Sequence, residues 1–349
     1  MSTRFAKGLV VGKFCPLHRG HQLLIDSATR NCDEVVVISY TKPEFERCGR
    51  ANRDRWVAEL FPTVTRLVID DDELQERCHA NGINARSLPH NDASDDEHRD
   101  FVAWLCCSLL DTTVDAVFTG EEYGDGFADT LTRYFRVHKE SLRHVRHVHV
   151  DRETVSVCGT DARSDPYGRR RLLAPVVYSD LVRRVAILGG ESTGKTTLAQ
   201  ALASHFGTTW VPEYGRELWE LRNGNLQLDD MLKIALEQVD RERRLGREAR
   251  RWLFCDTTPL TTAFYSQQMF GHVDPTLERL ALRDYETIVL CAPDFDFMQD
   301  GTRRCAQFRN QQHHWYLREL RNKALGFSVV AGSVPERLSA VVCLLKAAT

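Results

Sequence analysis

The sequence predicts an α/β protein built from two parallel-sheet domains in tandem. Three observations predict it. Apolar runs of strand length alternate with amphipathic stretches of helix length along the first half of the chain, and the same rhythm restarts in the second half. Between 161 and 179 the rhythm breaks in DARSDPYGRRRLLAPVVYS, a stretch rich in Pro, Gly and Arg. The chain has 349 residues, enough for two cores at roughly 100–200 residues per domain. The expected division is 1–178 and 179–349.

In the first half, Gly8–Gly12 reads as a buried strand and Gln22–Thr29 as a helix. Glu34–Ser39 is the next strand, Arg53–Leu60 a helix and Arg66–Ile69 a strand. Phe101–Leu110 is helical and Asp115–Thr119 is strand. The acidic stretch 91–100 reads as a surface loop or helix start. In the second half, Arg183–Leu188 is a strand, Lys195–His205 a helix and Asp229–Arg250 a long amphipathic helix. Trp252–Cys255, Thr287–Cys291 and Phe327–Val330 are strands, and a helix running through Ala340 closes the chain. The charges of RERRLGREARR, 241–251, alternate with i,i+4 partners and read as a solvated helix face.

Composition narrows the function. The hydrophobic fraction is 42% and the charged fraction 27%, ordinary for a soluble globular chain. Lys+Arg 46 against Asp+Glu 49 leaves a net charge of -3, so no electrostatic case for nucleic-acid binding exists. No signal peptide is evident, and no apolar run reaches the ~18 residues of a membrane helix. The expected location is cytoplasmic. The eleven cysteines form no C-x-x-C pair and read as reduced, mostly buried thiols rather than a zinc site or disulfide framework.

The first constellation, G-K-F-C-P-L-H-R-G-H, lies between a strand and a helix. That places His18 and His21 at the mouth of a sheet beside a helix N-terminus, where free N–H groups and the helix dipole attract phosphate. Two imidazoles can donate hydrogen bonds to phosphate oxygens as charge develops. Gly20 allows close approach of a ligand to the backbone. The segment resembles the H-x-G-H signature of the nucleotidyltransferase superfamily, with the wider pattern matched at Gly12, Phe14, Pro16, His18, Gly20 and His21. The resemblance implies a Rossmann-like domain that joins a substrate phosphate to the α-phosphate of a nucleoside triphosphate. That superfamily carries a second motif, S-x-T-x-x-R. Here C-G-T-D-A-R, 158–163, keeps Thr160 and Arg163 but has Cys158 in place of Ser. A thiol donates a weaker hydrogen bond than a hydroxyl. Arg163 is the expected triphosphate contact. Thr160 also suits a helix cap. Arg53 and Trp56 resemble the R-x-x-W segment of NadR-type nicotinamide mononucleotide (NMN) adenylyltransferases, which implies a substrate role for Arg53. Trp104 could stack on a nicotinamide ring or simply fill the core.

The second constellation, G-G-E-S-T-G-K-T, is a phosphate-binding P-loop with Gly189, Gly194, Lys195 and Thr196 in place between a strand and a helix. Backbone groups of Gly190, Glu191, Ser192, Thr193 and Thr197 complete the expected phosphate contacts. Lys195 should reach the β and γ oxygens of ATP and Thr196 should ligate Mg²⁺. Asp256, ending W-L-F-C-D, occupies a metal-holding or base position, although a helix N-cap would also explain it. C-A-P-D-F-D-F-M-Q-D-G-T-R-R resembles the lid segment of small-molecule P-loop kinases, with Asp300 on substrate and Arg303 on the transferring phosphoryl group. Glu213 and Arg216, in V-P-E-Y-G-R-E, suit the acceptor's ribose or base.

The string V-A-I-L-G-G-E-S-T-G-K-T-T-L resembles the ribosylnicotinamide kinase domain of NadR proteins, and the order of the two domains matches that family. The resemblance covers nearly the whole chain. It implies phosphorylation of nicotinamide riboside to NMN, then adenylylation of NMN to NAD with release of pyrophosphate, with ATP and Mg²⁺ used in both steps. Enteric members carry a helix-turn-helix domain ahead of the adenylyltransferase. This chain starts on its first strand, so no repressor function is expected; from the charge balance and the lack of a long apolar run no nucleic-acid or membrane partner is expected either, while a homo-oligomer is compatible with the sequence. Two rivals keep the folds. One acts on pantetheine phosphate or FMN, and the other is an ATP- or NAD-binding sensor with slow turnover, motivated by Cys158. A DNA-binding regulator is a third.

Overall fold

A computed structural model describes residues 4–120, 124–151, 159–298 and 304–347. The chain divides into two compact units, 1–181 and 182–349.

The first unit runs β1 (Phe5–Val11), α1 (Arg19–Asn31), β2 (Cys32–Tyr40), α2 (Arg50–Leu60), β3 (Thr65–Ile69), α3 (Asp71–Ala80), α4 (Asp95–Trp104), β4 (Ala116–Thr119), α5 (Gly124–Lys139), β5 (Arg146–His149), α6 (Gly159–Ser164) and α7 (Pro175–Leu181). Its five strands pair in parallel in the order β3-β2-β1-β4-β5. β1 is central, with Val10 opposite Val37 on one side and Phe118 on the other. Side chains alternate across the strands. Leu9, Val36 and Ile38 enter one core with residues of α4 and α5, while Val10, Val35 and Val37 are buried on the opposite face. Both faces are therefore covered, and that explains the unbroken apolar run at 35–38. In a doubly wound sheet of this order, ligands bind beyond the strands' C-terminal ends, where the strand order reverses beside β1.

The second unit runs β6 (Arg183–Gly189), α8 (Lys195–Phe206), β7 (Trp210–Val211), α9 (Tyr214–Leu221), α10 (Leu228–Gly246), β8 (Trp252–Asp256), α11 (Pro259–Phe270), α12 (Pro275–Ala281), β9 (Thr287–Cys291), α13 (Ala306–Asn322), β10 (Ser328–Val330) and α14 (Val334–Ala347). Its strands are also all parallel, in the order β10-β9-β6-β8-β7. Alternation on β6 feeds two cores. Val185 and Ile187 pack with α8 and α14, while Ala186 and Leu188 pack with α10, α11, α12 and α13. Among the described residues no helix is long and apolar enough to cross a membrane.

Sequence periodicity missed several helices. α4 and one following π-helical turn, Leu105–Leu109, replace the single helix expected at 101–110. The expected break at 161–179 holds α6, a short 3₁₀ turn and α7. The charged run at 241–251 is only partly solvated. Arg241 forms a fork with Glu217 at 2.5 and 2.7 Å, but Glu242 is fully buried and accepts from Arg283 at 3.0 Å and Tyr285 at 2.7 Å. That face of α10 is anchored, because a carboxylate removed from water requires such partners.

Candidate active sites

In the first unit the site is built from the segment that leaves β1. Gly12 extends the pairing by donating to Ile38 O at 3.1 Å. A Cβ at Gly12 would lie 2.6 Å from Phe14 Cε1, so glycine is required for the Phe14 ring to fold back over it. Phe14 itself has φ 49 and is fully buried. Its ring meets His21 edge-on at 5.1 Å. His18 is extended and precedes the first turn of α1, and its N–H donates to His21 Nδ1 at 3.4 Å. The two imidazoles stack with centroids 3.7 Å apart. With Nδ1 accepting, a neutral His21 ring carries its proton on Nε2 and is a donor there. Gly20 is buried in the first turn of the helix.

The second motif lands on this loop from far along the chain. Arg163 Nη1 donates to Cys15 O, its Nη2 donates to Thr160 Oγ1 at 3.2 Å, and the guanidinium lies 4.2 Å from the centre of the Phe45 ring. A Cβ at Gly159 would stand 3.2 Å from Cys15 O, which is how close α6 comes. Arg163 in this conformation positions the loop. Thr160 lies inside α6 and is exposed, so it is not the cap residue. Cys158 lies outside the described residues.

Two residues read as substrate contacts are placed elsewhere. Arg53 is fully buried and donates to Cys48 O at 2.9 Å, to Ser39 Oγ at 2.8 Å and to Glu44. It ties β2, the loop 41–49 and α2 together. Its partner in the R-x-x-W segment, Trp56, is also buried and donates to Asp180 Oδ2 at 2.6 Å, which locks α2 to α7. Trp104 belongs to the apolar core of the first unit, 8% exposed, beside Phe101 with centroids 5.5 Å apart and with Arg86 over its ring at 5.7 Å. Core packing, rather than stacking on a ligand, accounts for it.

In the second unit the segment leaving β6 forms the phosphate loop. Gly189 has φ 150, Ser192 φ 56 and Gly194 φ 75, so the backbone takes left-handed conformations that favour glycine. A Cβ at Gly190 would meet Arg309 O at 2.7 Å, and one at Gly194 would meet the Phe295 ring at 3.1 Å. Thr193 Oγ1 and Lys195 Nζ both donate to Gly190 O, at 2.8 and 2.9 Å. Lys195 thus rests on the backbone of its own loop. Glu191 is tied on three sides. Its N–H donates to Gln312 Oε1 at 3.0 Å, and its carboxylate accepts from Tyr265 at 3.0 Å and from Arg304 N at 2.7 Å. Ser192 Oγ accepts from Met298 N at 3.1 Å. Thr197 is exposed one residue past Thr196.

Thr196 Oγ1 donates to Asp256 Oδ2 at 2.5 Å, while Asp256 Oδ1 is buried with no hydrogen-bond partner among the described residues. The helix-cap alternative for Asp256 does not hold, since Thr258 caps α11 by accepting from Leu260 N at 3.3 Å. Burial raises the Asp256 pKa, opposed by the charge of Lys195, the Thr196 hydrogen bond and the charge of Arg216. Burial also raises the Glu213 pKa, opposed by Lys195 and Arg216 and reinforced by Asp256 and Glu191. The loop, the end of β8 and the start of α9 therefore share one electrostatic neighbourhood. Arg216 itself is exposed on α9. Asp300 and Arg303 lie outside the described residues.

Sequence reading missed Arg337. Its guanidinium is 1% exposed and donates to Thr193 O at 2.7 Å, Ala292 O at 3.0 Å, Gly332 O at 2.9 Å and the Asp294 carboxylate. The one available signal was an arginine among the apolar residues of the last helix.

The model of an AAA domain matches residues 184–337. The "Trifunctional NAD biosynthesis/regulator protein NadR" of Escherichia coli is 28% identical over 306 residues, covering 85% of this chain and 71% of that protein. Its Salmonella typhimurium counterpart is 28% identical over 312 residues with the same coverage. The chain is a homologue of the NadR proteins. Two solved NadR structures share its fold along the whole chain. A NadR protein in complex with NR superposes with a TM-score of 0.68 at 21% identity, covering 99% of this chain and 96% of that one. A NadR complex with NAD and AMP-PNP gives 0.66 at 21% identity with the same coverage.

Proposed function

We propose that this chain makes NAD from nicotinamide riboside in two ATP-dependent steps, as the NadR resemblance implies. The observation that carries the reading is the length of the similarity. An alignment of 306 residues exceeds either compact unit, so the similarity to NadR extends into both.

In the second unit, residues 182–349, the 5′-hydroxyl of nicotinamide riboside attacks the γ-phosphorus of ATP. The new O–P bond forms as the bond to the β-phosphate oxygen breaks, and ADP leaves. The loop N–H groups between Gly189 and Thr196 cradle the phosphates, and Lys195 exchanges Gly190 O for β and γ oxygens. Glu213 and Arg216 orient the acceptor. Mg²⁺ fits here. Thr196 and Asp256 would hold it, and the buried Asp256 oxygen without a hydrogen-bond partner suits a hard cation. Bound there, it would neutralise charge between the β and γ phosphates. Asp300 and Arg303 are assigned to the acceptor and the transferring group on sequence alone.

In the first unit, a Rossmann-like nucleotidyltransferase domain, the phosphate of NMN attacks the α-phosphorus of a second ATP and pyrophosphate leaves. No covalent enzyme intermediate is formed. His18 and His21, with the N-terminus of α1, stabilise charge on the phosphates, and Gly12, Phe14 and Gly20 give the loop its shape. Arg163 and Thr160 hold the loop from α6.

The test is a product assay with purified protein, ATP, Mg²⁺ and nicotinamide riboside. Wild type should yield NAD. Lys195→Ala should make nothing from the riboside yet still convert NMN, and His18→Ala should stall at NMN. Wild type that leaves both riboside and NMN untouched refutes the nicotinamide assignment.

A further inference from the structure

Cys15 sits inside the phosphate loop of the first unit and Cys48 in the loop 41–49 that faces it. Both are buried, 3% and 0% exposed. The Cys15 thiol donates to Lys13 O at 3.0 Å and to Cys48 O at 3.8 Å, and the two thiols interact with each other. Two arginines frame the pair through its carbonyls, with Arg163 on Cys15 O and Arg53 on Cys48 O. We infer that Cys15 and Cys48 form an oxidisable dithiol whose disulfide switches off the first active site.

Two requirements are met, proximity and a thiolate. Cys15 Sγ already lies against Cys48, whose side chain is buried beside it, and a disulfide needs the two sulfurs brought to about 2.05 Å. The attacking sulfur must be a thiolate, and nearby cations favour that form. The hydrogen bond from Cys48 lowers the Cys15 pKa against the effect of burial, Arg53 and Arg163 lower it further, and Glu44 opposes them. Cys48, by contrast, is pushed up by its bond to Cys15 and by burial. Cys15 is thus the nucleophile and Cys48 the resolving thiol. The oxidant is a peroxide. The Cys15 thiolate attacks one peroxide oxygen and the O–O bond breaks, giving Cys15 sulfenic acid and an alcohol, or water when the oxidant is hydrogen peroxide. The Cys48 sulfur then attacks the Cys15 sulfur and water leaves, so two thiols and one peroxide become one disulfide. Because Cys15 lies three residues before His18, moving it displaces the stacked imidazoles. The low exposure of both sulfurs means the reaction waits on a local opening of the loop, so it should be slow. In the second unit Cys291, beside the phosphate loop, is pushed up to about 11 by burial.

The effect on activity rests on the adenylyltransferase reading, but the cross-link does not. Full-length protein treated with hydrogen peroxide is digested without reduction and its peptides are mapped by mass. A Cys15–Cys48 peptide should appear and vanish on treatment with dithiothreitol. In parallel, conversion of NMN to NAD should fall at least tenfold and recover on reduction, while phosphorylation of the riboside stays within twofold. Cys48→Ser should keep adenylyl transfer and lose the reversible sensitivity. Absence of the cross-linked peptide in oxidised wild type overturns the proposal whatever the variant does. Equal reversible sensitivity in folded Cys48→Ser overturns it as well. A cross-link that forms in a protein inactive on NMN before oxidation refutes the adenylyltransferase reading and leaves the dithiol standing.

Discussion

Thr196 Oγ1 and Asp256 Oδ2 are 2.5 Å apart, joining the first turn of α8 to the end of β8 at the mouth of the second sheet. The hydroxyl already points at the carboxylate with which it would share a cation. The second carboxylate oxygen is buried and has no hydrogen-bond partner among the described residues, so a ligand satisfies a group the fold leaves wanting. Asp256→Asn keeps the shape, removes the charge and should lower kcat for riboside phosphorylation by about 10²–10⁴-fold, the range for losing a positioned acid–base or charge-stabilising group. Conversion of NMN to NAD should be unchanged. A loss below threefold in the kinase assay would remove Asp256 from the reaction.

The same burial gives a pH dependence of stability. Asp256 and Glu213 have folded-state pKa values raised above their ordinary carboxylate values. Between the unfolded and folded values the folded state holds more protons, so stability declines as pH rises through that window and is recovered as pH falls. Removing either charge should therefore stabilise the protein at neutral pH while impairing catalysis. Melting curves at pH 7 should show Asp256→Asn above wild type by about 2–4 °C, the shift expected for roughly 1 kcal/mol in a unit of this size. The gap should close as pH is lowered through the carboxylate range. An Asp256→Asn protein that melts below wild type at pH 7 contradicts the sign.

Arg337 connects the phosphate loop to the end of β9 through Thr193 O, Ala292 O and Asp294, and its guanidinium lies 4.2 Å from the centre of the Phe295 ring. Arg337→Met removes the buried cation and leaves those acceptors unpaired. The expected cost is about 3–5 kcal/mol, confined to the second unit. Denaturant unfolding followed by a probe in each unit separates the two transitions. Equal midpoints in mutant and wild type would show that the clamp contributes nothing.

The layout of two parallel sheets was legible because both faces of each are covered. That makes strands such as 35–38 and 252–255 continuous apolar runs, and it places glycine-rich turns directly after β1 and β6. The two loops that follow β1 and β6 were therefore located from sequence as strand-to-helix turns. Helices α11 and α13 were not. α11 is buried on most sides and carries Thr261, Thr262 and Ser266 inward, so its pattern lacks a polar face. Contacts made across long separations were equally hidden. Tyr265 on Glu191, Gln312 on the Glu191 N–H and Arg337 on Thr193 depend on tertiary packing that no local spacing records. Arg53 and Trp56 were visible as a motif, but a motif does not say whether a side chain faces a ligand or its own scaffold.

That distinction is measurable at Arg53. Its three bonds to Cys48 O, Ser39 Oγ and Glu44 make it a tie between segments. Arg53→Met should destabilise the first unit by about 3 kcal/mol, the lower end for an interrupted buried pair because Glu44 retains some access to water. At a temperature where the mutant is folded, KM for NMN should change less than threefold. A mutant as stable as wild type with KM raised tenfold or more would return Arg53 to the substrate site.

His18 and His21 are coupled, so single substitutions should not act alike. The N–H of His18 donates to His21 Nδ1, which fixes the His21 proton on Nε2 when the ring is neutral. His21→Ala removes a preoriented donor, and kcat for NMN adenylylation should fall about 10²–10³-fold, the loss seen for one charge-stabilising donor. His21→Asn offers an oxygen near the Nδ1 position but no donor at the Nε2 position. It should preserve the helix start and the melting temperature without rescuing kcat. Full rescue by Asn would mean that His21 serves the backbone of His18 and not the phosphate. The assay is initial-rate NAD formation from NMN and ATP, with riboside phosphorylation as the internal control, since the phosphate loop of the second unit is built without either imidazole.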